Sequence, residues 1–360
     1  VVSIDTLRGF TMFWITGGSA LVAALATATG WDFMKAIEEQ MHHVSWEGFH
    51  FYDLIFPLFI FIMGVAIPYA LLPRLEGGVP KRKLYAKVIR RFVILVIFGI
   101  FYSQAWLPDW TNPRIASVLG QIGFAYLFAS IIFIETRRFL PVVLWMGGIL
   151  LVYGLIQNFV PVPGYGAGVI TPEGSVNAYL DQRITPGRLL GETYEPDGVF
   201  NNVSAITIAL MGVMAGLILR GSRVATGYGK ALTLAALGAG FVALALILSN
   251  WYPIIKNAWT SSFNLLTGGI SLLLLSLFYL VVDVWKRRRW GFYFKVIGMN
   301  AITVYMAVQF IDFREISVNL LEGITMHMPV WGNVVIALGA LGVIWTGLYL
   351  LYRNRVFLRI

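Results

Sequence analysis

His43, Glu47, His50 and Asp53 lie within eleven residues of one another. Imidazole gains and loses a proton near neutral pH, and a carboxylate beside it can fix which ring nitrogen carries that proton, so the grouping suits general acid-base chemistry. From Leu54 onward no charged residue appears until Arg74. That apolar run is long enough to cross a bilayer, so the cluster reads as a loop of proton-transfer groups held at a membrane surface by the helix that follows. Asp53 would also be favoured there simply by the positive end of a helix dipole. The stretch by itself supports both readings.

The elements that must position this cluster are membrane helices. The chain has 360 residues, of which 58% are hydrophobic and 12% charged, with a mean hydropathy of +0.75. Soluble chains carry about 25% charged residues. The absence of cysteine excludes disulfides, thiolate metal sites and a cysteine nucleophile, leaving only a histidine-based metal site, and no metal is expected. The net charge of +9 has to be read by location, because positive loops report orientation first, and no nucleic-acid partner follows from it. The sequence starts at Val1, so a start upstream is expected, and no cleavable signal pattern precedes the first span.

Apolar windows predict an all-α, polytopic transmembrane bundle of about ten spans. They lie near 8–28, 51–73, 88–106, 115–134, 140–160, 200–219, 230–249, 260–282, 292–311 and 331–351. The connections alternate in charge. Residues 74–91 carry Arg74, Lys81, Arg82, Lys83, Lys87, Arg90 and Arg91, and later connections on the same side carry Arg137 and Arg138, Arg220, Arg223 and Lys230, and Lys286 to Arg289. The opposite loops are acidic or neutral. By the positive-inside rule both termini are cytoplasmic, as Arg353, Arg355 and Arg359 agree, and all four histidines face the other side.

The connection at 161–199 is rich in proline and glycine and longer than ordinary helix links, which predicts a lid over a site. Residues 312–329 are of mixed polarity and should form a short amphipathic surface helix. With no charge run marking a soluble segment, residues 1–360 read as one membrane domain. Ionisable and amide groups at membrane depth are costly and usually face the bundle interior. Here they are Asp53, Arg91, Gln121, Asn201, Asn202, Ser204, Thr260, Ser261, Asn264, Asn300, Tyr305 and Gln309. Hydroxyls and amides in such places commonly join helices. Asp53 and Arg91 are charged and so need a partner or a water-filled cavity.

H-V-S-W-E-G at 43–48, with D-L-I-F-P-L-F-I-F-I-M-G at 53–64, resembles the signature of the heparan-alpha-glucosaminide N-acetyltransferase family and its bacterial NagX-like relatives. S-I-D-T-L-R-G at 3–9, R-I-A-S-V-L-G-Q-I-G at 114–123, the segment around Pro196, Asp197 and Gly198, K-N-A-W-T-S-S-F at 256–263 and G-M-N-A-I-T-V-Y at 298–305 resemble further family motifs in the same order. Gly120 and Gln121 stand where the family has Q-R. The resemblance implies a transmembrane acetyltransferase that takes acetyl from cytosolic acetyl-CoA to the amine of a terminal glucosamine across the membrane. It also implies a homodimer, and the loop lengths and lack of cysteine suggest a bacterial inner membrane.

Carried over by position, the resemblance puts the catalytic histidine at His43, acting as general base or as an acetyl carrier. Asp53 or Glu47 would orient it. Oxyanion or substrate contacts are expected from Asn300, Asn264, Ser261, Trp46 and Asp197. Coenzyme A phosphates would meet a cationic rim of Lys83, Arg90 and Arg287, with Arg91 the deepest ligand and Gln121 nearby. Two other activities fit the same residues: a proton-coupled sugar transporter and an O-acetyltransferase of a surface glycan.

Overall fold

A computed structural model describes residues 1–106, 110–222 and 226–358 of the chain. Arg223 and Arg359, counted among the cations above, lie outside the described residues. In chain order the helices are α1 (Val2–Phe13), α2 (Ser19–Thr29), α3 (Asp32–Glu39), α4 (Phe51–Glu76) and α5 (Lys81–Trp106). There follow α6 (Val118–Thr136), α7 (Phe139–Phe159), α8 (Val176–Ile184), α9 (Val199–Arg220) and α10 (Gly227–Leu248). The last are α11 (Ser261–Tyr279), α12 (Phe292–Met299), α13 (Ala301–Phe310), α14 (Phe313–Thr325) and α15 (Gly332–Arg353). Wider π-type turns at Trp14–Gly18 and Leu280–Val284 join α1 to α2 and extend α11.

Among the described residues, eight helical stretches are long and apolar enough to cross a membrane, and they coincide with eight of the ten expected windows. The chain is thus an integral membrane protein built from helices. The other two windows fold differently. The one at 88–106 lies within the longer α5, whose first turns carry Lys81, Arg82, Lys83 and Lys87. The one at 292–311 is broken at Asn300, which leaves helical geometry (φ −124°, ψ 36°) and divides α12 from α13. The amphipathic segment expected at 312–329 is α14, capped by the Asp312 carboxylate on the Glu315 N–H.

Contacts group the chain into two compact units. The first contains residues 1–43, 50–55 and 281–360. In it α1 packs on α12, α2 on α3 and α15, and α14 on α15. Backbones of α1 and α12 approach so closely that a Cβ at Gly9 would sit 1.6 Å from the Phe294 carbonyl oxygen, and one at Gly298 2.0 Å from that of Asp5. The Asp283 carboxylate accepts from the N–H groups of Val2 and Ser3, so it satisfies donors that the first turn of a helix leaves open.

The second unit contains residues 44–49 and 56–280. Here α5 packs on α6, α9 on α6, α7 and α11, and α10 on α11. α4 and α9 meet through glycines, with a Cβ at Gly64 reaching 2.1 Å from the Ala209 carbonyl oxygen and one at Gly212 the same distance from that of Phe61. Small residues are what permit such approach where lipid supplies no hydrophobic driving force. Gly64→Val is therefore expected to lower thermal stability in detergent by about 1–3 kcal/mol or more. An unchanged melting curve would mean that the helices separate without cost.

Candidate functional site

In the first unit the start of α4 is assembled by hydrogen bonds that also place the two histidines. The carboxylate of Asp53, in the first turn, reaches back to the His50 N–H at 3.0 Å, one half of a capping box. Phe51 N–H donates to the Gln40 side-chain oxygen at 3.1 Å, and Tyr52 N–H to the Gln40 carbonyl at 3.0 Å. The end of α3 thereby holds the start of α4. His50 Nδ1 lies 3.0 Å from the His42 carbonyl, so this nitrogen carries the proton and ties the backbone next to His43.

The second Asp53 oxygen lies 2.7 Å from His43 Nδ1. Asp53 is fully buried, whereas the His43 side chain is 49% exposed. With Nδ1–H donated to the carboxylate, the lone pair of the imidazole is left on Nε2. The Tyr52 ring, 5.0 Å from the imidazole, flanks it. The backbone of Glu47 forms an isolated bridge with Ile255 in the second unit, as part of the segment in which Gly48 N–H donates to the Ile254 carbonyl.

The second unit carries a buried ionic knot. Arg114 donates through Nε and Nη2 to both oxygens of Glu195 and through Nη2 to Asp197 at 2.9 Å. Glu195 also accepts from Leu190 N–H, and its own N–H donates to Asp181. Burial opposes the Arg114 charge, but the Glu195 hydrogen bonds and the Asp197 charge hold its pKa above the usual arginine value. Burial raises Asp197 to about 6 and Asp181 to about 6, with the Glu195 charge adding to both. Asn201 donates to the carbonyls of Glu195, Pro196 and Asn257. The long connection is pinned at several points, because Trp46 Nε1 donates to the Ile170 carbonyl and Gln157 donates to Asn177.

The expected site residues have varied placements. Ser261 donates its hydroxyl to the Leu150 carbonyl, and Asn264 donates its Nδ2 to Ser204 and Thr207, so the donors an oxyanion would need are engaged. Asn300 holds the C-terminal tail, accepting from Leu358 N–H and donating to the Val356 carbonyl. Asp197 is committed to Arg114, and Trp46 packs edge-on against Tyr194 at 4.9 Å. Lys83, Arg90 and Arg287 are exposed. Arg91 lies over the Tyr126 ring, 4.5 Å from its centroid, and its Nε has no hydrogen-bond partner. Gln121 is 1% exposed with neither side-chain atom bonded. Sequence reasoning missed Gln40, Glu195 and Asp181, and it quoted Arg114 only as part of a motif.

Residues 1–163 match a family described as a domain of unknown function, DUF5009. The chain is 27% identical over 380 residues to human heparan-alpha-glucosaminide N-acetyltransferase, an alignment covering 88% of this chain and 55% of that protein. It is 26% identical to the mouse protein of the same name, covering 75% of this chain and 49% of the relative. The chain thus spans about half the length of the curated relatives it matches.

Two outcomes follow from the ionic knot. Glu195→Ala would leave Arg114 buried with half its partners gone, and a loss of about 3–5 kcal/mol in stability is expected, read as a lowered melting temperature. Asp181 and Asp197, near 6 in the folded protein against about 3.9 unfolded, hold protons that the unfolded chain has already lost. Their contribution is full below about pH 4 and fades as pH rises through about 6. Melting in nanodiscs should therefore fall between about pH 5 and pH 7.5. Asp181→Asn should flatten that slope, and an unaltered slope would locate the titration elsewhere.

Proposed function

We propose that this chain, similar along most of its length to two heparan-alpha-glucosaminide N-acetyltransferases, is a membrane acetyltransferase that moves acetyl from acetyl-CoA to the amine of a glucosamine-type sugar. The observation that carries this reading is the 2.7 Å bond between His43 and the buried Asp53. A buried carboxylate on Nδ1 fixes the tautomer and stabilises the imidazolium that forms when Nε2 takes a proton.

Amide formation from a thioester requires an unprotonated amine. In the proposed step the neutral amine nitrogen attacks the thioester carbonyl, His43 Nε2 takes one proton from that nitrogen as the N–C bond forms, and the C–S bond breaks. The thiolate of coenzyme A leaves and receives the proton from the imidazolium. Asp53 remains ionised throughout and serves as the orienting group.

The donor side is supported by groups in the second unit. Buried amide atoms are nearly always bonded, so a Gln121 with both atoms open suits a ligand that itself carries amides, as the pantetheine arm does. Arg91 of α5 lies over the ring of Tyr126, which is five residues farther along α6, and offers a cation to the anionic end of such a ligand. Lys83 and Arg90, in the same unit, would add cations for the phosphates. By the distribution of charge the cationic side faces the cytoplasm and His43 the opposite side. The family resemblance supports a homodimer, and the loop lengths with the absence of cysteine support a bacterial inner membrane.

Purified protein in nanodiscs, given labelled acetyl-CoA and glucosamine, is expected to form the N-acetylated sugar. His43→Ala should abolish it, and Asp53→Asn should lower kcat by about 10²–10⁴. Full turnover by His43→Ala, or glucosamine uptake into liposomes without acetylation, would overturn the reading. Arg91→Ala should raise KM for acetyl-CoA about tenfold while leaving that for the sugar near its original value. Equal changes in both would remove Arg91 from the donor site.

A further inference from the structure

The first unit contains a cavity that the acyl-transfer reading does not use. Its volume is about 780 Å³, within the range that holds a small ligand, and it is walled by α2 and α15 and bordered at one end by the α13–α14 junction. The floor lies at Thr16, Gly17 and Ile344, where the chain leaves the α-helix through the π-type turn. Gly17 there has φ 149°, a conformation that side chains other than hydrogen seldom adopt. A Cβ on it would lie 3.0 Å from the Leu341 side chain, which fixes the pairing of the two walls at the floor. Between floor and mouth the walls are alanines, among them Ala20, Ala24, Ala337 and Ala340.

The depth of the cavity is informative. From Thr16 to Thr27 on one wall, and from Ile344 back to Asn333 on the other, are eleven residues each, or about 16 Å of helix. Half of a hydrocarbon core is about 15 Å. The length of the walls therefore matches the thickness of one leaflet.

At the mouth the lining changes character. Gln309, Asp312, Arg314 and Asn333 gather there. Among the described residues, no hydrogen bond or ion pair engages the side chains of Gln309, Arg314 or Asn333. Asp312 spends one oxygen on the Glu315 N–H and has the other to offer. A cation and an anion two residues apart are thus presented at one end of a slot whose apolar walls are about as long as one leaflet is thick.

We infer that this cavity is a binding site for one aminophospholipid, with an acyl chain in the alanine-walled slot, its phosphate on Arg314 and its ammonium on Asp312. Depth and charge arrangement select this occupant. A purely anionic headgroup would leave Asp312 opposed, and a quaternary ammonium offers Asp312 no N–H to accept. The polar neighbours Gln309 and Asn333 would meet the glycerol ester oxygens. The site is separate from the His43–Asp53 dyad in its residues, and its occupancy is measurable without reference to acetyl transfer.

Native mass spectrometry of the full chain, delipidated and then titrated with phosphatidylethanolamine, phosphatidylcholine or phosphatidylglycerol of matched chains, tests this directly. One tightly held phosphatidylethanolamine per chain is expected, with about tenfold weaker retention of the other two. Arg314→Ala and Asp312→Ala should each reduce that preference, and Ala340→Phe, which fills the slot, should remove the bound lipid. All three variants must elute as monodisperse, helical protein; should Ala340→Phe fail in this, Ala24→Leu is the second slot-filling variant. Equal retention of all three lipids, or retention unaffected by a folded slot-filling variant, would overturn the inference. So would the finding that filling the slot abolishes a dimer and leaves lipid binding intact, because the occupant would then be a second copy of the chain.

Discussion

A carboxylate with no access to water must have its charge answered by neighbours, and Asp53 meets that requirement with both oxygens. One accepts the His50 N–H and so closes the first turn of α4; the other holds His43 Nδ1. Helix start and imidazole orientation are therefore one arrangement. The cap alone would require only some polar residue at this position. Burial of a full charge makes the second bond obligatory, since leaving one side of such a pair unmet costs several kcal/mol. Gln40 and the His42 carbonyl extend the same arrangement, fastening the end of α3 and the backbone beside His43 to the same turn.

The second unit solves the same problem on a larger scale. Arg114, Glu195 and Asp197 carry two negative charges against one positive, and the surplus is answered by backbone N–H groups from Leu190 and Asp197 and by the charge of Lys256 acting on Asp197. Around that knot Tyr153, Gln157, Asn177, Asn201 and Tyr252 donate and accept among themselves and to the Ala258 carbonyl. Polar groups at membrane depth are often treated as signs of a ligand site. Most of them here join helix ends to the long connection. Those that remain open stand out by contrast, and Gln121 is the clearest because both its amide atoms are buried and unmet.

The two kinds of polar residue imply different consequences for substitution. Members of a satisfied network, such as Glu195 or Asn201, hold structure, and changing one leaves its partners stranded. Residues with unspent valence, such as Gln121, have bonding capacity left for a substrate. The division explains why Asn264, Ser261 and Asn300, polar and well buried, are poor choices for an oxyanion contact: their donors are already used.

Membrane residence and the helical class follow from the sequence alone, because a 58% hydrophobic chain with apolar runs of about twenty residues has no other way to satisfy its backbone in lipid. Eight of the ten windows and the amphipathic α14 were legible for that reason, and the sequence also set His43 and Asp53, ten residues apart, close enough to pair at the start of an apolar helix. The choice of Asp53 over Glu47 was not legible, since both carboxylates are near His43 in sequence and only the fold of the intervening loop turns one of them toward Nδ1. Nor was the break at Asn300, an amide whose attraction to the tail at 356–358 acts over more than fifty residues. Arg114 finds Glu195 and Asp197 across some eighty residues, and composition cannot specify a pairing that depends on where the helices bring those side chains. Local pattern determines which segments enter the membrane; which polar groups are spent there and which remain available is decided by packing.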